Sequence, residues 1–391
     1  MKTVILIGDG MGDYPCEAAG NRTPLQAATI PNMRRIAAAG KIHMVRTAPE
    51  GMFPGSDVCN LGLLGYNPAE NYSGRGPIEA AGAHIVLEDD DVAVRCNLVT
   101  VEDDIMRDYS AGHISSEEGV ALIQALQEVL GADGLTFYPG VQYRHILVIR
   151  KGPASAHTHP PHEIPDLGIA DYLPNSIELC DLMMASREVF AEHPVNLKRI
   201  AEGKLPATQI WLWGQGGALH LPTYQDLYGL SGGMITAVDL LRGCAVLAGL
   251  EVVDVEGANG LIDTNYDGKV HAALQVLKEH DFVYVHVEAP DECGHMGDLA
   301  LKIEAIELFD AKVVGPIWQA MEALGEAYRI VVTMDHRTPV STRRHSGEPV
   351  PLAELLGPVG TCTEEAAFDE TFNGGEATTT SWELIPTFLR H

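Results

Sequence analysis

The stretch Phe282-Val-Tyr-Val-His-Val-Glu-Ala-Pro-Asp291-Glu-Cys-Gly-His295 decides how the rest of this chain is read. β-Branched and aromatic residues run up to Pro290, and the run ends in a carboxylate with an imidazole four positions later, in a turn loosened by Gly294. That is the pattern of a buried strand delivering two metal ligands at its carboxyl end. Arg329-Ile-Val-Val-Thr-Met is a second short strand, followed directly by Asp335-His336, and Thr3-Val-Ile-Leu-Ile runs into a third carboxylate at Gly8-Asp9-Gly10. In an open α/β sheet the ligand crevice lies outside the carboxyl ends of the strands, so these three segments are expected to converge on one site.

His345 follows Asp335-His336 by a short loop and closes the set, which then holds Asp9, Asp291, His295, Asp335, His336 and His345. Any one of these Asp residues alone is explained as a cap or turn former after a strand. Three strand ends of this composition favour a metal centre. Carboxylate oxygens with imidazole nitrogens suit Mn²⁺ or Zn²⁺, with Mg²⁺ and Co²⁺ as further fits, and six protein ligands are more than one tetrahedral ion uses. Two divalent metal ions are therefore expected, about 3.5–5 Å apart.

The chain has 391 residues, enough for two domains at about 150 residues each. Its formal charge of −28 argues against nucleic acid and against anionic membrane surfaces, both of which need a basic footprint. No stretch approaches the roughly 20 apolar residues of a membrane span, and no charged-then-apolar leader stands at the start. Seven scattered cysteines without a Cys-x-x-Cys pair are expected to be reduced thiols of a cytoplasmic protein. Neither a phosphate-binding Gly-x-x-x-x-Gly-Lys-Ser/Thr loop nor a Rossmann glycine fingerprint occurs, so no nucleotide cofactor is expected. The sequence does not fix an oligomeric state.

In chain order, Pro31 to Gly40 is a helix with Pro near its start and Gly just past its end. Ser56 follows Gly55 and opens a helix, where free backbone N–H groups can hold an anion. Capping alone explains such a Ser. Beside a dinuclear site, a Ser nucleophile becomes the sharper reading. From about Gly76 the chain acquires strands and helices of its own, contains none of the Asp/His set, and separates its members in sequence. Residues 77–228 are accordingly expected to be an inserted smaller α/β (α+β) domain, and residues 1–76 with 229–391 a discontinuous core. Alternating strands and helices in that core predict an α/β fold, a parallel sheet sandwiched by helices. The inserted part includes His157, His159 and His162 in a Pro-rich loop, expected to be a solvent- or substrate-facing flap rather than a further metal site.

The order Asp9, Ser56, Asp291-x-x-x-His295, Asp335-His336, His345 resembles that of the cofactor-independent phosphoglycerate mutases of the archaeal-type branch, within the alkaline phosphatase superfamily. The likeness extends to Arg95-Cys96-Asn97, His193-Pro194-Val195-Asn196 and Asp263-Thr264-Asn265-Tyr266-x-x-Lys269. The resemblance implies an alkaline-phosphatase-like core, with Asp9, Ser56, Asp335 and His336 at one ion and Asp291, His295 and His345 at the other. It also implies that Ser56 is transiently phosphorylated while the phosphoryl group of phosphoglycerate moves between O3 and O2, with the inserted domain closing over the substrate. Substrate contacts are assigned on the same basis to Asn60, Arg75, Arg95, Arg144, His162 and Lys269. The better-known branch carries an Asp-Gly-Arg-Asp loop in its inserted domain, and here the His/Pro stretch around His162 takes its place. The rival expectations are another metal-dependent phosphoryl-transfer enzyme, either a phosphatase or phosphonate hydrolase or a homoserine-kinase-like transferase, and a non-catalytic metal-binding protein.

Overall fold

The computed structural model describes residues 1–372 and 378–390. Its strands, numbered in chain order, are β1 (Lys2–Gly8), β2 (Lys41–Arg46), β3 (Asp91–Glu102), β4 (Ile105–Asp108), β5 (Leu135–Tyr138), β6 (Arg144–Arg150), β7 (Gln209–Gly217), β8 (Gly232–Ile235), β9 (Glu251–Val252), β10 (Phe282–Val287), β11 (Tyr328–Thr333), β12 (Val350–Gly357) and β13 (Thr379–Thr380). Two compact units result: Met1–Tyr72 with Leu221–His391, and Ser73–His220.

The first unit holds an eight-stranded sheet in the order β13-β2-β12-β11-β1-β10-β8-β9. Val4 to Ile7 in β1 and Phe282 to Val285 in β10 are fully buried, as expected of strands covered on both faces. Each such apolar side chain contributes about 1.5–3 kcal/mol on leaving water. The helix Tyr266–Glu279 packs against β8 and β10, and the helix Pro31–Ala39 packs against β12. The latter helix has no capping side chain of its own, and Asp310 supplies one: its carboxylate accepts from Met33 N at 2.7 Å and Asn32 N at 3.2 Å. Asp310 opens a π-helical turn, Asp310–Val314, between the helices Leu299–Phe309 and Gly315–Leu324.

Parallel pairing joins β1 to β10 and β11, β10 to β8, β8 to β9, and β13 to β2. One strand departs from the all-parallel expectation: β12 runs antiparallel to both β11 and β2. The segment between β11 and β12 is a helix-free loop, so the chain turns back beside β11 instead of crossing over, which a parallel return would require.

The second unit is built on an antiparallel sheet in the order β4-β3-β6-β5, with β7 pairing on β3. The helix Ser116–Leu130 opens with a reciprocal capping box between Ser115 and Glu118, and its Leu122, Ile123 and Leu126 enter the core with Leu98, Leu147 and Trp211. The helix Arg75–Gly82 packs against β3 and β7, which places Arg75 and Gly76 with this unit. At the far junction Leu221 to Tyr228 goes with the first unit, where Tyr224 Oη donates to Leu64 O at 2.9 Å.

Candidate metal centre

Register brings the ligand-bearing segments together. With Ile7 paired to Thr333 and Gly8 paired to Val287, the parallel strands β11, β1 and β10 end at the same level, and Asp9, Asp335 and Asp291 follow them. Asp291 and His295 do not lie in an open turn as the sequence reading expects; they lie on a helix, Ala289–Met296. Pro290 in the first turn starts that helix, and the spacing of four puts carboxylate and imidazole on one face. His295 Nε2 is 3.2 Å from Asp291 Oδ2 and 2.9 Å from His345 Nε2, and His345 Nε2 is 3.5 Å from Asp291 Oδ1.

A second group adjoins the first. His336 Nε2 lies 3.5 Å from Asp9 Oδ1, 3.4 Å from Asp335 Oδ2 and 3.3 Å from Ser56 Oγ. Ser56 is the first residue of the helix Ser56–Leu63, capped by the extended Gly55. Ligand atoms of Asp291, His295 and His345, and those of Asp9, Asp291 and His336, each fall within 4.8 Å of one another. The structure thus brings all six sequence-predicted ligands and Ser56 into one locality.

The electrostatics are those of a cation site. Asp9 is buried, its Oδ1 has no hydrogen-bond partner among the described residues, and burial with the charges of Asp335 and Asp291 holds its carboxyl well above the usual range. Burial pushes His336 down to about 4, leaving a neutral imidazole suited to ligation. Burial also opposes the charged form of His295, but the hydrogen bond and charge of Asp291 and the Arg343 carbonyl carry it up to about 9. Buried acceptors crowded with so few protons fit divalent cations, and the oxygen and imidazole donors suit hard to borderline ions.

The surroundings fix these groups. Asn60, fully buried, donates to Ser56 O at 2.8 Å and Asp335 Oδ2 at 2.9 Å and accepts from Tyr284 Oη at 2.6 Å, so it orients Asp335. Lys269 is fully buried, donates to His286 O at 3.0 Å, and is lowered to about 8 by burial despite Glu288. Lys302, also fully buried, reaches Gly12 O and Thr338 O at 2.8 Å and Asp13 Oδ2 at 3.0 Å, tying the loop after β1 to the loop after β11. Gly10 adopts φ +60°, and a Cβ there would lie 2.4 Å from Asp291 Oδ1.

Arg75, Arg95, Arg144 and His162 belong to the second unit. Glu79 lies 2.7 Å from Arg75 Nε and 3.0 Å from Arg95 Nε, and the Arg75 and Arg95 guanidinium groups stand 5.6 and 4.4 Å from the Trp213 ring. His162 meets Trp213 edge-on at 5.5 Å. The charges of Arg95, Arg75 and Arg144 lower Glu79 in spite of its burial.

Four residues near these groups escape the sequence reading. His286, mid-strand in β10, lies 3.1 Å from Asp9 Oδ2, and Thr338 touches Asp291 and His336. A buried imidazole on a ligand-bearing strand is a usable signal. Thr338 carries none, and Glu79 and Trp213 acquire meaning only through the arginines they meet. No helix among the described residues is long and apolar enough to cross a membrane.

A profile of the family described as 2,3-bisphosphoglycerate-independent phosphoglycerate mutase matches residues 37–196. Over 374 residues the chain is 51% identical to a protein of that name from Methanothrix thermoacetophila, covering 95% of this chain and 94% of the other. It is 49% identical to a protein named probable 2,3-bisphosphoglycerate-independent phosphoglycerate mutase from Geobacter sulfurreducens, covering 95% and 94% of the two chains. Among solved structures, a Pyrococcus horikoshii protein superposes with a TM-score of 0.81 at 29% identity, covering 99% and 96% of the two chains. The cofactor-independent phosphoglycerate mutase of Thermoplasma acidophilum superposes with a TM-score of 0.65 at 25% identity over 99% and 98%.

Proposed function

This chain belongs to the 2,3-bisphosphoglycerate-independent phosphoglycerate mutases, and from that premise we infer that it is an isomerase interconverting 3-phosphoglycerate and 2-phosphoglycerate through a phosphoserine at Ser56. The observation that carries the reading is Ser56 Oγ, at a helix start, 3.3 Å from His336 Nε2 among the buried carboxylates and imidazoles. Asp9, Ser56, Asp335 and His336 would hold one divalent ion and Asp291, His295 and His345 the other, with Mn²⁺ or Zn²⁺ the best match to the donors. Bound there, such ions supply positive charge to the transferring phosphoryl group and lower the basicity of the attacking oxygen.

The rest of the work falls to the chain. Ser56 Oγ forms a bond to phosphorus as the bond from phosphorus to O3 breaks, and the serine proton passes to the released O3 oxygen, which becomes the hydroxyl. Glycerate then reorients, O2 attacks phosphorus, the bond to Ser56 Oγ breaks, and the proton of the O2 hydroxyl returns to serine. Donor and product differ only in the position of the phosphate, so no nucleotide enters. Backbone N–H groups at the start of the helix Ser56–Leu63 favour the phosphate there. Arg75, Arg95, Arg144 and His162 are assigned to the acid's carboxylate and hydroxyl, because guanidinium groups match a carboxylate's geometry and Arg75, Arg95 and Arg144 gather around Glu79. Asn60 and Lys269 serve by fixing Asp335 and the end of β10.

The test uses phosphoglycerate labelled in its phosphoryl group, with the protein supplied with Mn²⁺ or Zn²⁺. Label is expected on Ser56, and Ser56→Ala should abolish turnover with the fold intact. Mutase activity retained by Ser56→Ala would overturn the phosphoserine route. Strict dependence on ATP would point to a kinase, and steady release of inorganic phosphate to a phosphatase.

A further inference from the structure

Thr338 stands outside the ligand set, yet its hydroxyl touches both halves of the centre. The residue is fully buried, two positions beyond His336. Its Oγ1 donates to Asp291 Oδ1 and lies 3.2 Å from His336 Nδ1. A hydroxyl has one proton, and an ionised carboxylate can only accept. With that proton committed to Asp291, the hydroxyl oxygen must accept from His336, so Nδ1 carries the imidazole proton. Nε2 then presents its lone pair toward Asp9 Oδ1, Asp335 Oδ2 and Ser56 Oγ.

The alternative tautomer would put an N–H at Nε2, where the Asp9 and Asp335 carboxylates are ready acceptors. That arrangement satisfies the carboxylates internally and turns the ligand nitrogen into a donor. Choosing between tautomers is therefore choosing between a hydrogen-bonded cluster and a cation site. His295 is oriented differently: its Nδ1 faces Arg343 O at 3.0 Å, a group that can only accept, so Nδ1 carries a proton and Nε2 is the nitrogen turned toward Asp291 and His345.

We propose that Thr338 is a positioning residue of the metal centre, fixing His336 as the Nδ1–H tautomer and linking it to Asp291, so that one hydroxyl aligns ligands of both ion positions. The inference rests on the dinuclear reading above. The Thr338 backbone is held independently of the hydroxyl: its N–H donates to Gly12 O at 3.0 Å and its carbonyl accepts from Lys302 Nζ at 2.8 Å. Replacing the hydroxyl by a methyl in Thr338→Val therefore leaves the loop anchored.

Long-range proton–nitrogen spectra of metal-free protein labelled with ¹⁵N-histidine read the tautomer directly. Wild type and Thr338→Ser should carry the His336 proton on Nδ1, and Thr338→Val should move it to Nε2. Calorimetric titration with Mn²⁺ or Zn²⁺ should show binding weakened about 10–100-fold in Thr338→Val and largely restored in Thr338→Ser, the range expected for losing a partner of a ligand. A Thr338→Val protein with wild-type affinity and tautomer would overturn the inference while leaving the dinuclear reading intact. A wild-type protein with the proton on His336 Nε2 would also overturn it, whatever the variants do. A wild-type protein that binds neither ion would remove the reading beneath it.

Discussion

Replacing Lys302 by Met is the most demanding test of how the centre is held. The ammonium is fully buried and bonded to Gly12 O, Thr338 O and Asp13 Oδ2. Burial lowers its pKa, and Asp13 only partly restores it, so the pair is costly to bury yet damaging to break. Met fills much of the aliphatic volume but leaves two carbonyls without that donor and the Asp13 carboxylate without a countercharge. Asp13 keeps two backbone donors, Tyr14 N at 2.7 Å and Val340 N at 3.0 Å, which places the loss at about 3–5 kcal/mol, the range for breaking a buried pair. Urea unfolding followed by circular dichroism should show that loss as a lower midpoint. In the double variant Lys302→Met with Asp13→Asn, removing the stranded charge should recover about 1–3 kcal/mol of coupling. A single variant costing under about 1 kcal/mol, or a double variant no better than additive, would refute the reasoning.

Three further outcomes are expected. Burial holds His145 down to about 3, with its Nδ1 accepting from Gly140 N at 2.9 Å, whereas unfolded histidine titrates near about 6.5. Between those values the unfolded chain binds a proton that the native one refuses, so stability is full above about pH 6.5 and falls with acid by up to about 1.4 kcal/mol per pH unit. Unfolding free energies from urea titrations at pH 7 and pH 5 should differ by about 2 kcal/mol less in His145→Gln than in wild type, and an equal difference would refute the assignment. Gly10→Ala adds a Cβ 2.4 Å from Asp291 Oδ1 at a left-handed backbone position, at a conformational cost of about 1–2 kcal/mol. Titration with Mn²⁺ should show affinity reduced at least about tenfold, and unchanged affinity would mean that Asp291 is not a ligand. Asp310→Ala should cost about 1–2 kcal/mol in urea unfolding by uncapping the helix Pro31–Ala39, with Asp310→Asn much milder because it retains an acceptor.

The carboxylate and imidazole cluster is legible because its chemistry depends on residue type and on position after a strand, both of which are written locally. Asp9, Asp335-His336 and Asp291 announce themselves in this way, since the apolar runs before them can only be buried strands. The helix carrying Asp291 and His295 was hidden by Gly294 and the short segment, although the spacing of four already allowed it. The reversal of β12 depends on a loop folding back beside β11, a tertiary event with no local code. Thr338, His286, Glu79 and Trp213 illustrate a further limit: each acts through a partner distant in sequence, and its residue type is ordinary in a core. Arg75, read as a substrate contact on resemblance, gains a local physical context only when Glu79 and Trp213 appear beside it.

The position of β1 between two parallel neighbours has a kinetic consequence. Asp9 and Asp335 issue from strands whose ladders are interior to the sheet, and the amides of Ile5 to Gly8 should be among the last to exchange with solvent deuterium, because opening them requires breaking both ladders. An ion bound as proposed by Asp9, Asp335 and His336, whose side chains are at most 2% exposed, should leave more slowly than one bound by an exposed ligand. The neighbouring position is different, since the His295 side chain, near the end of a short helix, is 37% exposed. The two positions should therefore trade their ions at very different rates. Brief chelation should draw down one position before the other.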